Sequence, residues 1–265
     1  MPDPTLPKPA LPDAGLSGLC AIAVMAKAPR PGHVKTRLQT VLDPAEAAQL
    51  SAAFLRDVTG NLAAAARLAP IHAYVAFAPA GQEARFDGLL AEGTRLVLAD
   101  GENGDAGGVQ GFGRCLLDAL RGLLARGYGA ACVLNADGPT LPTELLVQAA
   151  NRLLAPGRRA VLGPADDGGY WLLGMQSAEP VLLSRIAWST ETVAADTQQR
   201  AAEAGLELEL LATWYDVDDR ASLERLLSEL AGEAGSALQP YAAPATAACL
   251  DAMQLHERLQ RPPAA

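Results

Sequence analysis

A single-domain, three-layer α/β/α arrangement with a mostly parallel sheet is the fold class this sequence predicts. Short apolar runs alternate with longer helical patterns through most of the chain, the signature of a parallel sheet flanked by helices. The chemically unusual loops follow candidate strands, at the edge where open α/β sheets hold ligands. The 265 residues are 50% hydrophobic, enough for one substantial core.

The candidate strands are Leu19 to Met25, Ile71 to Phe77, Arg95 to Leu98, Ala131 to Asn135, Ala160 to Leu162, Tyr170 to Gly174 and Leu206 to Leu211. Between the first two lies a long helix, opened by Asp43 as N-cap, Pro44 at its first position and Glu46 completing a capping box. Further helices are expected over Gln82 to Ala91, Phe112 to Arg126, Pro142 to Leu154, Thr192 to Ala204 and Ala221 to Leu230. Five glycines between Ala99 and Gly111 exclude regular structure there and predict a mobile loop.

Residues 1–18 hold five prolines and no continuous apolar stretch, so they read as a disordered tail rather than a signal peptide. The main domain is expected over 19–232. Residues 233–265 form an extension, partly helical, with one amphipathic helix from Thr246 to Leu259. A net charge of −9 argues against a general nucleic-acid binder, which needs a broad basic surface. No apolar run approaches the roughly 20 residues of a membrane helix. Cys20, Cys115, Cys132 and Cys249 show no CxxC spacing, so reduced thiols and a cytoplasmic location are expected.

Two segments carry most of the chemistry. In AKAPRPGHVKTRL, Lys27, Arg30, Lys35 and Arg37 surround Pro29, Pro31 and Gly32, as a phosphate-holding loop would. A solvated basic turn is the plainer alternative, and His33 has no assigned role. In LGPADDGGYWLLG, Asp166 and Asp167 point to opposite sides of an extended chain, so one can reach a metal while its neighbour orients a substrate. Gly168 and Gly169 allow close backbone approach to a ligand, and Asp-Gly between apolar runs is equally a hairpin turn.

Three smaller motifs follow. In NADGPTLP, Asp137 stands directly after a strand and is a candidate for holding a divalent ion, while Thr140 or Thr143 can cap the next helix. In WYDVDD, Asp216 and Asp218 share a face and can complete a metal shell, while Asp219 reads as a helix cap. In AWSTETV, Ser189 or Thr190 reads as an N-cap and Trp188 as a core residue or a stacking surface. The three histidines lie outside any nucleophile motif.

Together, in this order and over about residues 19 to 230, these five motifs resemble the bacterial GT-A-fold transferase family labelled as arsenosugar-biosynthesis-type glycosyltransferases. That family is similar to the phospholactate guanylyltransferases and, more distantly, to the molybdenum-cofactor nucleotidyltransferases. The resemblance implies a nucleotide-diphospho-sugar-transferase-like fold, places Lys35, Thr36 and Arg37 in a triphosphate loop, and matches Asp137 to a metal-binding aspartate. The chain departs from the pattern after its glycine-rich loop, where GVQGFGRCL matches the family's Leu-Gly-Glu-Arg stretch only at Gly113 and Arg114.

The leading functional expectation is a metal-dependent nucleotidyltransferase moving a nucleoside monophosphate from a nucleoside triphosphate to a small phosphorylated or related acceptor, with pyrophosphate release. Mg²⁺ or Mn²⁺ would be held by Asp137, Asp167 and Asp218, and Lys35 and Arg37 would stabilise the departing pyrophosphate. Glycosyl transfer from a sugar nucleotide is the alternative, with Asp166 or Asp167 as base. A non-catalytic nucleotide-binding module is the third. Small molecules are the expected partners, and a homodimer is compatible with the sequence.

Overall fold

The computed structural model describes residues 15–102, 106–233, 235 and 237–260. Seven strands form one sheet: β1 (Cys20–Ala26), β2 (Ile71–Phe77), β3 (Arg95–Leu98), β4 (Ala130–Leu134), β5 (Arg159–Pro164), β6 (Tyr170–Met175) and β7 (Glu207–Leu210). Their order across the sheet is β3-β2-β1-β4-β6-β5-β7. All neighbouring pairs are parallel except the two made by β6, which runs against β4 and β5. Its reversal follows from the Asp166–Gly169 turn, a hairpin that leaves no room for a crossover helix. Every expected strand is present to within one or two residues at each end.

The helices are α1 (Pro44–Ala65), α2 (Phe112–Leu124), α3 (Thr143–Leu154), α4 (Val193–Glu203), α5 (Arg220–Leu230), α6 (Pro244–Ala252) and α7 (Leu255–Gln260). One face of the sheet packs Ile22, Val24 and Val75 under Phe54, Leu62, Leu146 and Leu226. The other packs Ala21, Ala23 and Tyr74 under Leu116, Leu120 and Leu183. Alternation of side chains along β1 and β2 supplies both layers, which makes the architecture α/β/α.

Local chemistry explains the helix starts. Asp43 accepts from Ala45 N and Glu46 N at 2.7 and 2.8 Å while Glu46 returns a bond to Asp43 N, the expected capping box. Asp219 caps α5 in the same way with Ser222. Thr140 and Thr143 do not cap α3: Thr143 Oγ1 donates to Asn61 Oδ1 at 2.6 Å, and Thr140 bonds Tyr215 Oη at 3.3 Å. Nor do Ser189 or Thr190 cap α4, whose N-cap is Thr192. Tertiary partners hold the Thr140 and Thr143 hydroxyls, whereas Thr190 bonds within its own loop, donating to Ala187 O at 2.7 Å.

Two expected helices are corrected. Gln82 to Ala91 contains only a 3-10 turn at Glu83–Phe86, because Gly88 takes φ +69 and ends it. The single helix expected from Thr246 to Leu259 is instead α6 and α7, separated at Gln254, whose φ is +50. Leu250 and Leu255 are both core residues. Five residues turn a helix by about 500°, which would leave these side chains about 140° apart, so a break is needed to bury both. The expected disordered tail lies outside the described residues up to position 14, and Leu16 packs on the core. The glycine-rich segment has neither helix nor strand among its described residues, and 103–105 lie outside them.

The C-terminal helices sit on α1 through a buried carboxylate. Ala243, the N-cap of α6, has no capping side chain, and Asp57 of α1 replaces it, accepting from Ala245 N at 3.0 Å and Thr246 N at 2.6 Å. The carboxylate is opposite the positive end of the helix. Asp57→Ala leaves two N–H groups unpaired in a site 2% exposed, so a loss of about 2–4 kcal/mol is expected in urea unfolding. An unchanged midpoint would show that α6 is held by apolar contact alone.

At the far end of this extension Arg258 pairs with Glu46 at 2.6 Å and donates to Val41 O at 3.2 Å. The hydrogen bond and charge of Arg258 hold the Glu46 carboxyl below its usual range. A depressed folded value stabilises the protein above the unfolded pKa and is lost as pH falls through the folded one. The stability difference between wild type and Arg258→Ala should therefore be larger at pH 7 than at about pH 3. Denaturant titrations at both pH values check this.

Candidate active site

The carboxyl ends of β1, β2, β3, β4, β5 and β7 lie on one edge of the sheet, and a cleft of about 420 Å³ opens there. Lys27, Lys35, Thr36, Arg37, Asp137 and Asp218 all line it, so residues from β1, β4 and the segment after β7 converge as expected. Ser51 and Leu55 of α1 complete the wall. Arg30 and Gly32 are outside the lining, and Arg30 Nη2 bonds His33 Nε2 at 2.9 Å. Gly168, Gly169 and Asp167 also stand outside it.

Lys35 is the centre. It adopts a left-handed conformation, φ 48 and ψ 40, at the start of the 3-10 turn Thr36–Thr40. For a residue with a Cβ that geometry costs roughly 1–2 kcal/mol, so it is maintained by other contacts. The ammonium supplies them: it pairs with Asp137 Oδ1, with Asp218 Oδ1 at 3.0 Å, and donates to Val217 O at 2.8 Å. It also stands 5.1 Å from the centre of the Phe54 ring. The side chain is only 4% exposed. Burial works to lower its pKa, but attraction and hydrogen bonds from Asp137 and Asp218 prevail and raise it above the ordinary lysine value.

Sequence spacing put Asp218 forward as a candidate for completing a metal shell and, on the same face, Asp216. The structure makes it the most perturbed carboxyl in the cluster. Burial, then repulsion from Asp137, Asp167 and Asp218, pushes it up to about 7, against a 2.6 Å hydrogen bond from Asn135 Nδ2. That repulsion measures the crowding of negative charge. Arg37, 70% exposed, reaches only 4.0 Å from Asp218 Oδ2 and keeps its guanidinium in solvent.

The second acidic motif is a hairpin turn rather than the extended chain on which the two carboxylates would alternate. Asp166 turns outward and pairs with Arg225 at 2.6 Å, and that guanidinium stacks 3.8 Å from the Tyr215 ring. Asp167 accepts from Gly169 N at 2.9 Å, inside its own turn. Gly168 is there for packing: with φ +86, its missing Cβ would lie 1.9 Å from the Glu191 carbonyl oxygen. Its own carbonyl accepts from Ala194 N at 2.9 Å, which ties the hairpin to α4.

The WYDVDD segment is fixed by backbone bonds. Asp166 N donates to Trp214 O at 3.0 Å, and Val217 N donates to Asp137 O at 2.9 Å. These links bring Asp218 next to Asp137, 81 residues away in sequence. Among the described residues, no group of three His, Cys, Asp or Glu is arranged as a metal-binding cluster. None of the helices described is long and apolar enough to cross a membrane.

This architecture is similar to that of a Desulfovibrio desulfuricans G20 protein described provisionally as a nucleotide-diphospho-sugar transferase. The two are 26% identical with a TM-score of 0.73, covering 90% of this chain and 97% of that one. The fold is therefore of the nucleotide-diphospho-sugar-transferase type. More remote likenesses are to 4-diphosphocytidyl-2C-methyl-D-erythritol synthase of Anaerococcus prevotii DSM 20548, at 12% identity, TM-score 0.48, and coverage of 83% and 99%. A cytidylyltransferase of Leptospira borgpetersenii is similar at 12% identity and TM-score 0.48, with coverage of 93% and 98%. No curated protein matches the chain. Over residues 61–190, a span that contains Asp137 and the Asp166–Gly169 turn but neither Lys35 nor Asp218, the chain matches the family described as "Uncharacterized protein conserved in bacteria (DUF2064)".

Proposed function

We propose that the protein is a metal-dependent nucleotidyltransferase. An acceptor oxyanion attacks the α-phosphorus of a nucleoside triphosphate, a new phosphorus–oxygen bond forms, the bond to the β-phosphate oxygen breaks, and pyrophosphate leaves. The observation that carries this reading is the Lys35 ammonium held between Asp137 and Asp218 on the floor of the cleft.

The donor set suits Mg²⁺ or Mn²⁺. Asp137 and Asp218 aim carboxylate oxygens at one point and are 37% and 39% exposed. Mg²⁺ is usually held by one or two carboxylates with waters and substrate phosphates rather than by an all-protein cage, so two convergent oxygens suffice. Asp167 is the third candidate, through its charge on the cluster. When bound, the ion would neutralise charge on the phosphates. Lys35 uses its three N–H donors on Asp137, Asp218 and Val217 O. Neutralising those carboxylates by other means frees the ammonium to bind the departing pyrophosphate, with Arg37 beside it at the surface.

The test is a thermal-shift panel of the four nucleoside triphosphates and several sugar nucleotides, with Mg²⁺, Mn²⁺ or chelator, followed by acceptor screens that measure pyrophosphate. Metal-dependent stabilisation by a triphosphate, with pyrophosphate released to a phosphorylated acceptor, supports the proposal. The likeness to the D. desulfuricans protein favours glycosyl transfer as the second reading. Stabilisation by a sugar nucleotide alone, with nucleoside diphosphate as product, would replace the first reading by the second.

A further inference from the structure

The cleft has two chemically different ends. One holds Lys35, Asp137 and Asp218, and the other is lined by Ala26, Ala76, Ala78, Ala99 and Cys115, with Phe112 beside them. Phe112 is the first residue of α2 and is 52% exposed. The other two exposed large apolar residues among those described, Leu68 and Leu210, lie outside this cleft. Leaving a phenyl ring in water forgoes the favourable free energy of its burial, and this ring stands in the wall of the cleft.

The ring is also held rigidly. The Trp188 indole meets it edge to face, with centroids 5.8 Å apart at 86°. Trp188 itself is seated against the start of α2 because residue 113 is glycine. A Cβ at that position would lie 2.7 Å from Trp188 Cζ2 and 2.9 Å from Val109 Cγ1. The glycine-rich segment and the loop before α4 therefore meet to fix one aromatic face. The alanines that share the lining present only methyl groups, which leaves space for a flat group.

We propose that Phe112, backed by Trp188, is the stacking platform for the base of the nucleotide. The inference rests on the nucleotide-binding reading above and extends it from the phosphates to the base. A molecule whose phosphates reach Lys35 along this continuous cleft can place its planar, apolar part on Phe112. Stacking is favourable with every base, so the platform contributes affinity for a nucleoside without choosing among bases.

Calorimetry with two Mg²⁺-loaded probes tests this: the best-bound nucleoside triphosphate of the four, and inorganic tripolyphosphate, which has no base. Phe112→Ala is expected to weaken nucleotide binding roughly 10-fold while tripolyphosphate affinity stays within about 2-fold, and Phe112→Trp should restore the nucleotide. Because the side chain is exposed, both variants should keep the wild-type melting temperature. Unchanged nucleotide affinity in Phe112→Ala, or an equal loss for both probes, overturns the platform. Equal affinity of the wild type for nucleotide and tripolyphosphate overturns it too but leaves the phosphate site standing. Binding of neither probe removes the nucleotidyltransferase reading as well.

Discussion

Lys35→Ala is expected to lower nucleotidyl transfer by roughly 10²- to 10³-fold, the scale seen when one preorganised charge-stabilising donor is removed. The side chain stands at the meeting point of the two carboxylates and is pinned by the Val217 carbonyl. Its loss takes the cation from the leaving-group end of the cleft and leaves Asp137 and Asp218 repelling each other. Lys35→Arg should not rescue, because a planar fork cannot reproduce three convergent bonds from one nitrogen. The measurement is pyrophosphate release at saturating nucleotide, with the melting temperature as a control for folding. Turnover within a few-fold of wild type would show that the ammonium has only a structural role.

Gly168→Ala is expected to produce the largest loss of stability, more than about 3 kcal/mol. Two separate costs meet there. A positive φ of +86 disfavours any residue with a Cβ, and the added methyl would lie 1.9 Å from the Glu191 carbonyl oxygen and 2.6 Å from its Cα, all of it backbone. A backbone neighbour cannot rotate away as a flexible side chain can. Gly81→Ala is the control, since Gly81 has φ +80 and nothing within 4 Å. It should lose only about 1 kcal/mol. The melting temperature should fall by at least roughly 6–12 °C for Gly168→Ala and a few degrees for Gly81→Ala. Equal losses would show that backbone strain, not the packed hairpin, governs the site.

Gly168 also shows how far the sequence could be read. Gly-Gly beside two aspartates suggested a ligand-facing backbone, whereas Gly168 is needed because α4 packs on the hairpin. Both readings predict a small residue, and only the position of Glu191 separates them. Asp216 is similar: its alternation with Asp218 was visible, but its raised pKa comes from burial and from repulsion by Asp137, some 80 residues earlier. Phe112 appeared only as the start of a helix, and its exposure follows from where α2 begins relative to Trp188.

Local patterns by themselves determined the strands, the long helix with its Asp43 capping box, the mostly parallel sheet and the basic loop at the end of β1. Periodicity, caps and turn residues act over a few positions, so a linear reading captures them. Tertiary structure decided which charges met and which were buried. It brought Lys35 to Asp137 and Asp218, turned Asp166 to Arg225, placed Asp57 beneath α6 and divided the final helix at Gln254. For Lys35 and Asp57 the physical reason is that a buried charge is tolerated only beside a partner. Their partners lie between 102 and 189 residues away, at distances set by the packing of the sheet.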